Sequence, residues 1–240
     1  MVPDAILAVG TPAALATKSA GGTVPIVFVA VSEPVSQGIV ASLAHPGGNL
    51  TGFTNLKASF GAKWLELLKE IAPRVMRVAT MFNPNSAPYA TSFARSIEVA
   101  APQFAVQVAT IRVQDAAEIE AAIMKLAGEP QGGFILPPDT HTASHRKLIV
   151  DLAVRYRLPA IYALKQFAAE DGLAFYGIDI VDLVEKAAGY IDRILKGAKP
   201  TDLPVQQPTQ YQLVINLKAA KSIGLEVPPT LLARADEVIE

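Results

Sequence analysis

Short apolar runs alternate with segments of helical period along most of the chain, and this alternation limits the possible folds more than any other feature. Eight runs rich in β-branched or other apolar residues are bounded by turn residues and are predicted to be strands: 5–9, 26–31, 77–82, 106–113, 133–136, 160–162, 173–176 and 213–217. Apolar residues recur at helical spacing in 63–71, 148–156 and 183–194. Strands alternating with helices predict an α/β fold, with parallel sheets built from βαβ units and helices on both faces.

The composition narrows the classes of function. The 240 residues suffice for one large α/β domain or two smaller lobes. The net charge is −1, from 21 Lys and Arg against 22 Asp and Glu, which argues against nucleic acid as a partner. The chain has no cysteine, which excludes disulfides, cysteine zinc sites and thiol nucleophiles. Residues 1–4 show no signal peptide, and no apolar stretch approaches the roughly 20 residues of a membrane helix.

Two stretches rich in turn residues predict where the chain passes between two sheets. His45–Asn55 clusters Pro, Gly and Asn, and Lys199–Pro208 contains prolines that favour an extended connector. If the first crossing lies near residue 55, the first sheet has only two strands before it, 5–9 and 26–31, which is too few for an independent lobe. Either later segments return to complete this sheet, or part of the lobe is missing from the chain.

Polar or aromatic side chains lie at or just after the carboxyl ends of the predicted strands. In open parallel sheets, ligands bind outside these ends, where helix N-termini also lie. The candidate ligand-binding residues at these positions are Thr11, Ser32, Asn83, Asn85, Tyr89, Asp139, Tyr162 and Asp179. Together they predict a polar cleft lined by loops at the strand ends.

Three of these strand ends also have a purely structural interpretation as helix starts. Thr11, Thr140 and Asp179 are typical N-caps, and Pro12 would then occupy the first helical position. Capping and ligand binding are compatible, because a helix start also offers free N–H groups to a carboxylate. The sequence leaves both interpretations open.

The remaining candidates have structural alternatives of other kinds. Asn83 and Asn85 fit an Asx turn, and Ser32 and Glu33 fit a solvated loop. Tyr89 and Tyr162 fit core or rim positions as well as rings that stack on a flat ligand.

Signatures of catalysis or of cofactor binding are absent. Gly47 and Gly52 have P-loop spacing in GGNLTGFT, but the lysine that grips phosphate is missing. Neither a dinucleotide-binding glycine motif nor a nucleophile elbow occurs. His141 and His145 have the spacing of a zinc pair without the glutamate of the metalloprotease motif, which favours a solvated helix face over a metal site. The sequence therefore predicts no catalytic residue, no metal and no cofactor.

Four long stretches of the chain resemble the ABC-transporter substrate-binding proteins of the tryptophan/phenylalanine-binding-like family. They are AVGTPAALATKSAGGTVPIVFVAVSEPVSQGIVASLAHPGGNLTGFTN, KWLELLKEIAPRVMRVATMFNPNS, LPAIYALKQFAAEDGLAFYGIDIVDL and ILKGAKPTDLPVQQPTQYQLVINLKAAKSIGLEVPPTLLARADEVIE. The resemblance extends over essentially the whole chain. It implies a type I periplasmic-binding-protein fold, in which two Rossmann-like lobes joined by three crossover strands close on a small ligand like a hinge.

The resemblance also implies a division of the chain into lobes. Lobe one would comprise 1–56 and about 174–204, and lobe two 57–173 and about 205–240. Family members carry a leader and two βα units ahead of the segment that matches 3–9, so lobe one would be incomplete here. An exposed edge beside the strand 5–9 would follow. The protein is then expected to be a monomer, with a dimer through this edge as the alternative.

The candidate residues are distributed over the two lobes by the same resemblance. Thr11 and Ser32 would line the wall of lobe one, and Tyr162 and Asp179 would lie near the hinge. The wall of lobe two would contain Asn83, Asn85, Tyr89 and Asp139. An amino-acid ligand would direct its carboxylate to the helix start at Thr11 and its ammonium to Asp139 or Asp179. The Ser32-Glu33-Pro34 tip would face the interlobe cleft.

The function implied by the resemblance is that of a solute-binding component of an ABC importer. Such a protein binds a small polar solute, an amino acid or related compound, and passes it to a membrane permease, with no catalysis. Its location would be periplasmic or extracellular and membrane-associated.

Three other functions remain possible. An amino-acid racemase would share the architecture, although the cofactor-independent enzymes use a cysteine pair. A ligand-sensing part of a transcription regulator would need an upstream helix-turn-helix, which this sequence lacks. A truncated copy without a transport role is the third alternative.

Overall fold

The computed structural model describes residues 3–240 and shows the α/β alternation that the sequence predicts. The strands are β1 (Ile6–Val9), β2 (Ile26–Val31), β3 (Leu50–Thr54), β4 (Arg77–Phe82), β5 (Gln107–Arg112), β6 (Gly132–Leu136), β7 (Ala160–Tyr162), β8 (Ala174–Gly177), β9 (Gln212–Asn216) and β10 (Glu237–Ile239). The α-helices are α1 (Thr11–Ser19), α2 (Phe60–Ile71), α3 (Ala90–Ala100), α4 (Ala116–Ala127), α5 (Thr140–Ser144), α6 (Arg146–Arg155), α7 (Ile180–Leu195), α8 (Leu217–Ser222) and α9 (Pro229–Leu232). Among the helical segments predicted from spacing, 63–71, 148–156 and 183–194 correspond to α2, α6 and α7.

The chain forms two compact units. Unit 1 comprises Met1–Lys57 and Ile178–Gln210, and unit 2 comprises Ala58–Gly177 and Tyr211–Glu240. Each unit is therefore assembled from segments that are distant in the sequence.

Two boundaries differ from the division expected from the sequence. The expectation assigns 174–177 to lobe one, but these residues form β8, which pairs with β7 and β9 inside unit 2. It assigns 205–210 to lobe two, but this segment belongs to unit 1. There, the N–H of Val205 donates to the carbonyl of Leu43 at 2.7 Å, and that of Gln206 to the carbonyl of Gly52 at 2.9 Å. Backbone pairing at each crossing decides the boundary, and the turn residues do not reveal it.

Unit 1 contains a parallel sheet in the order β1-β2-β3. The boundary after Lys57 lies within one residue of the expected boundary between 56 and 57. The stretch 45–55 is not a connector throughout, however, because 50–54 form β3, whose five residues are all buried. The turn residues end at Asn49, and the following Thr and Phe residues favour a strand. Unit 1 therefore has three strands before the chain enters unit 2 after Lys57, where the sequence predicts two.

Helix α7 covers the sheet of unit 1. It buries Leu183, Ala187, Tyr190 and Ile194, which recur at helical spacing, and it packs against β2 and β3. The ring of Tyr190 lies 4.9 Å from that of Phe53, and its hydroxyl donates to the carbonyl of Pro204 at 2.7 Å. The returning segment of unit 1 is thus fixed by both packing and hydrogen bonds.

Unit 2 contains a seven-stranded sheet in the order β10-β9-β8-β7-β6-β4-β5. The strands from β8 to β5 run parallel to one another, while β9 pairs antiparallel with β8 and β10 follows the direction of β9. The sequence analysis predicts only parallel strands and does not find β10. The carboxyl ends of β4, β6, β7 and β8 therefore lie along one edge of the sheet.

Helix α2 buries the face that its spacing predicts. Trp64, Leu65, Leu68 and Ile71 are all buried. The indole N–H of Trp64 donates to the carbonyl of Tyr176 at 2.8 Å, which ties the helix to β8. No helix within residues 3–240 combines the length and apolar character that crossing a membrane requires.

Candidate functional site

The N-terminus of α1, at the carboxyl end of β1, has no side-chain cap. The cap position is Gly10, with φ of 85°, and Thr11 and Pro12 are the first helical residues. The prediction of Thr11 as N-cap is therefore wrong. Its hydroxyl, which is buried, instead accepts the N–H of Ser32 at 3.0 Å and joins the loops that follow β1 and β2. Among the described residues 3–240, no side chain accepts the first N–H groups of α1, which leaves the positive end of the helix dipole uncompensated there.

Ser32 lies beside this helix start with an unsatisfied hydroxyl. Its side chain is fully buried, and its Oγ has no hydrogen-bond partner among residues 3–240. A buried hydroxyl without a partner costs free energy, since it has given up its hydrogen bonds to water. The structure therefore contradicts the alternative of a solvated loop at Ser32. Within residues 3–240, the Ser32 hydroxyl is thus a donor without an acceptor, next to the uncapped start of α1.

The end of β2 is bent around Ser32. Ala30 and Glu33 both adopt left-handed backbone conformations, with φ of 56° and 50°, and the pairing of β2 with β3 shifts register between Phe28 and Val31. Left-handed conformations are unfavourable for residues other than glycine and concentrate at functional sites. A bulge of this kind redirects side chains at the end of a strand.

Asn55 follows β3 at the same edge of unit 1 and was not identified from the sequence. It is buried, its N–H donates to the carbonyl of Val31 at 2.8 Å, and its Oδ1 accepts the N–H of Leu56 at 2.8 Å. Recognition of β3 as a strand would have placed this amide beside Thr11 and Ser32 at the strand ends.

Asp139 organises the corresponding edge of unit 2. Its buried carboxylate accepts the N–H of Asn83 at 2.9 Å, of His141 at 2.9 Å and of Thr142 at 3.3 Å, and it also accepts the hydroxyl of Ser86. Asp139, and not the predicted Thr140, is thus the N-cap of α5. The carboxylate ties the loop after β6 to the loop after β4.

The loop after β4 contains the Asx turn that the sequence allows. Oδ1 of Asn83 accepts the N–H of Asn85 at 2.8 Å and that of Ser86 at 3.4 Å. Tyr89 is buried and occupies the N-cap position that precedes α3. The structure therefore brings Asn83, Asn85 and Asp139 together through hydrogen bonds.

Tyr162 lies in the core of unit 2, which corrects its expected place near a hinge or in contact with a ligand. It is buried, its ring stacks on Phe167 at 4.6 Å, and it meets the edge of Phe134 at 6.1 Å. Burial raises the pKa of the Tyr162 hydroxyl. A position at the end of a short buried strand cannot be distinguished from a ligand-facing position by residue type alone.

Asp179 is the N-cap of α7, as one of the sequence interpretations predicts. Its carboxylate accepts the N–H of Val181 at 2.9 Å. It is half-buried and follows Ile178, the residue at which the chain re-enters unit 1.

Three half-buried aromatic rings of unit 2 form a cluster that the sequence analysis missed. Phe60 stacks on Tyr176 with ring centroids 5.6 Å apart and lies 4.6 Å from Tyr211. Each of the three is within three positions of a point where the chain enters or leaves unit 2. Burial raises the pKa of both tyrosines; for Tyr176 the negative charge of Asp236 adds to this effect and Arg234 opposes it. The three rings come from distant segments, so no local pattern reveals the cluster.

His141 and His145 lie close together, with ring centroids 4.7 Å apart. Nδ1 of His145 is within hydrogen-bonding distance of the carbonyl of His141, at 2.9 Å, and of Oγ of Ser144, at 3.1 Å. Within residues 3–240, no group of three or more His, Asp or Glu side chains has the arrangement of a metal site.

A family model described as ABC transporter substrate binding protein matches residues 2–239. The tyrosine-binding protein of Clostridioides difficile is 27% identical over 223 residues, which are 93% of this chain. The present chain spans 64% of the length of that curated relative.

Two solved structures superpose closely on the chain. A conserved domain protein from Vibrio cholerae has a TM-score of 0.90 and 31% identity, and the match covers 99% of this chain and 79% of that one. An ABC domain from Streptococcus pneumonia in complex with L-Trp has a TM-score of 0.89 and 27% identity, with 98% of this chain and 79% of that one covered.

Proposed function

The chain belongs to the family of ABC transporter substrate-binding proteins, and from this premise we propose that it is the solute-binding component of an importer whose solute is an amino acid, with an aromatic one favoured. The observation that carries the proposal is the uncapped N-terminus of α1 beside the buried, unpartnered hydroxyl of Ser32. The names of two relatives, one tyrosine-binding and one solved with L-Trp, support the choice of solute.

Unit 1 supplies the groups that bind the α-carboxylate of the solute. The free N–H groups at the start of α1 and the hydroxyl of Ser32 are donors without acceptors, and a carboxylate provides the acceptors that both lack. Thr11 positions Ser32 through its hydrogen bond to the Ser32 N–H and need not contact the solute itself.

Unit 2, taken by itself, carries groups whose chemistry suits an aromatic amino acid. The half-buried rings of Phe60, Tyr176 and Tyr211 offer aromatic surface for stacking. Asn83 and Asn85, held by the Asx turn and by Asp139, offer polar groups at the ends of neighbouring strands. An aromatic amino acid has both kinds of chemistry in one small molecule.

The role we propose is binding without catalysis. The solute is delivered to a membrane permease, which is the partner that this family implies, and the protein works outside the cytoplasm. Its single expected activity is reversible binding, so affinity and selectivity are the quantities to measure.

Replacement of Ser32 by alanine tests the carboxylate site. The variant should bind L-tyrosine or L-tryptophan about 10- to 100-fold more weakly, because a hydrogen bond to a charged group is lost. Without ligand it should be as stable as the parent or more stable, because the unsatisfied hydroxyl is gone. Isothermal titration calorimetry and thermal unfolding on protein stripped of ligand by unfolding and refolding measure these two quantities.

Ser19→Ala is the matched control for this test, since Ser19 is exposed at the opposite end of α1. It should change neither the affinity nor the stability. Unchanged affinity of Ser32→Ala for every bound amino acid would contradict the carboxylate site. A parent protein that binds no amino acid would contradict the proposed solute class.

A further inference from the structure

Glu33 follows Ser32 directly and has a carboxylate without a partner. Its side chain is half-buried, and neither carboxylate oxygen forms a hydrogen bond or ion pair with any residue between 3 and 240. Lys18, which reaches the same loop, donates to the carbonyls of Gly38 and Ile39. A carboxylate withdrawn in part from water is stabilised by a cationic or donor group, and the part of unit 1 that the structure describes, from residue 3 onward, provides none here.

The other carboxylates considered for the solute's ammonium already have structural roles. Asp139 accepts four hydrogen bonds, which occupy the acceptor capacity of a carboxylate. Asp179 accepts the N–H of Val181 as the cap of α7. Glu33 differs from both, because within residues 3–240 its backbone carbonyl accepts hydrogen bonds and its carboxylate accepts none.

That backbone role holds Glu33 in place. Its carbonyl accepts the N–H of Gln37 at 2.9 Å and the hydroxyl of Ser36 at 3.1 Å. Its φ of 50° breaks the alternation of an extended strand, so the side chains of Ser32 and Glu33 are not forced to opposite faces.

We propose that Glu33 binds the ammonium of the solute and thereby selects zwitterionic α-amino acids over simple carboxylates. This inference rests on the proposed function and refines it, since Ser32 and the start of α1 would bind any small carboxylate. Unit 1 alone then recognises both charged groups of the solute.

The test compares ligands with and without the ammonium. L-Tyrosine and desaminotyrosine, which lacks only the amino group, are titrated calorimetrically into the stripped parent and into Glu33→Gln; L-tryptophan serves as a second amino-acid probe. Glu33→Gln should lower the affinity for L-tyrosine about 10- to 100-fold, because a charge-assisted hydrogen bond is lost. It should bind desaminotyrosine as well as the parent or better, because a negative charge near the ligand carboxylate is removed.

Asp171→Asn is the matched control, since Asp171 is an acid in a left-handed conformation on unit 2, with φ of 62°. Asp179→Asn tests the competing ammonium site. Affinity for both ligands should be unchanged in both variants. Unchanged L-tyrosine affinity in Glu33→Gln, an equal loss for L-tyrosine and desaminotyrosine, or a selective loss in Asp179→Asn would each overturn the inference while leaving amino-acid binding established. A parent that binds neither amino acid would overturn the proposed function, and the inference with it.

Discussion

Replacement of Gly52 by alanine is expected to lower the free energy of unfolding of unit 1 by about 3–5 kcal/mol, a severe effect for one methyl group. Gly52 lies in β3 opposite Phe28, with φ of 149°. A Cβ at this position would meet the carbonyl oxygen of Phe28 at 2.0 Å and its nitrogen at 2.7 Å. Both are backbone atoms of a paired strand, so neither can move aside without breaking the sheet.

The measurement is thermal unfolding followed by far-ultraviolet circular dichroism, in which the midpoint should fall by roughly 10 °C or more. Gly48→Ala is the control: no atom lies within 4 Å of its Cβ position, and its φ is not in the left-handed range. Fluorescence of Trp64, the single tryptophan, reports on unit 2 separately. Equal midpoints for the two variants would show that β2 and β3 do not pack as closely as the structure shows.

Replacement of Asp139 by alanine should destabilise unit 2 by about 3–5 kcal/mol, because four donors then lose the acceptor that they share and two of these hydrogen bonds are buried. The N–H groups of Asn83 and Thr142 are buried, and the hydroxyl of Ser86 and the N–H of His141 lose the same acceptor. The loops after β4 and β6 would separate, so the change should also weaken solute binding indirectly.

Asp115→Ala is the reference variant for this prediction, because it removes an ordinary N-cap from the same unit. Asp115 is an exposed N-cap in the same unit and accepts one N–H, that of Glu118 at 2.9 Å. Loss of a single exposed cap costs about 1 kcal/mol. In urea, Asp139→Ala should therefore unfold at a clearly lower midpoint concentration than Asp115→Ala. Similar midpoints would mean that Asp139 acts as an ordinary cap and not as a link between loops.

Periodicity in the sequence predicts most of the fold because five of the seven strands of unit 2 are mostly buried runs and its helices have one apolar face. β4 and α2 show this clearly. The sequence does not predict β3, because its residues, LTGFT, follow the turn residues around Gly47 and include a glycine. That glycine is required by the close approach of Phe28, a long-range contact that no local pattern encodes.

The candidate site was predictable in its chemistry but not in its details. Thr11, Ser32, Asn83 and Asp139 do lie at strand ends, as the rule for parallel sheets requires. The sequence did not reveal that Asp139 is occupied by four hydrogen bonds, since these depend on how two loops meet.

Which groups remain unsatisfied is also a property of the folded chain. The spare hydroxyl of Ser32 and the unpaired carboxylate of Glu33 depend on the bend at the end of β2. A sequence containing Ser-Glu-Pro after a strand does not distinguish this arrangement from a solvated loop.

Thermal unfolding of ligand-stripped protein against a panel of amino acids, small carboxylates and nucleosides tests the central claim most directly. A ligand at 100 times its dissociation constant adds about 2.7 kcal/mol, which should raise the midpoint by roughly 5–10 °C for a protein of this size. We expect this shift with L-tyrosine or L-tryptophan and a much smaller one with desaminotyrosine. A shift produced only by nucleosides or by carboxylates without an amino group, with no response to any amino acid, would contradict the claim.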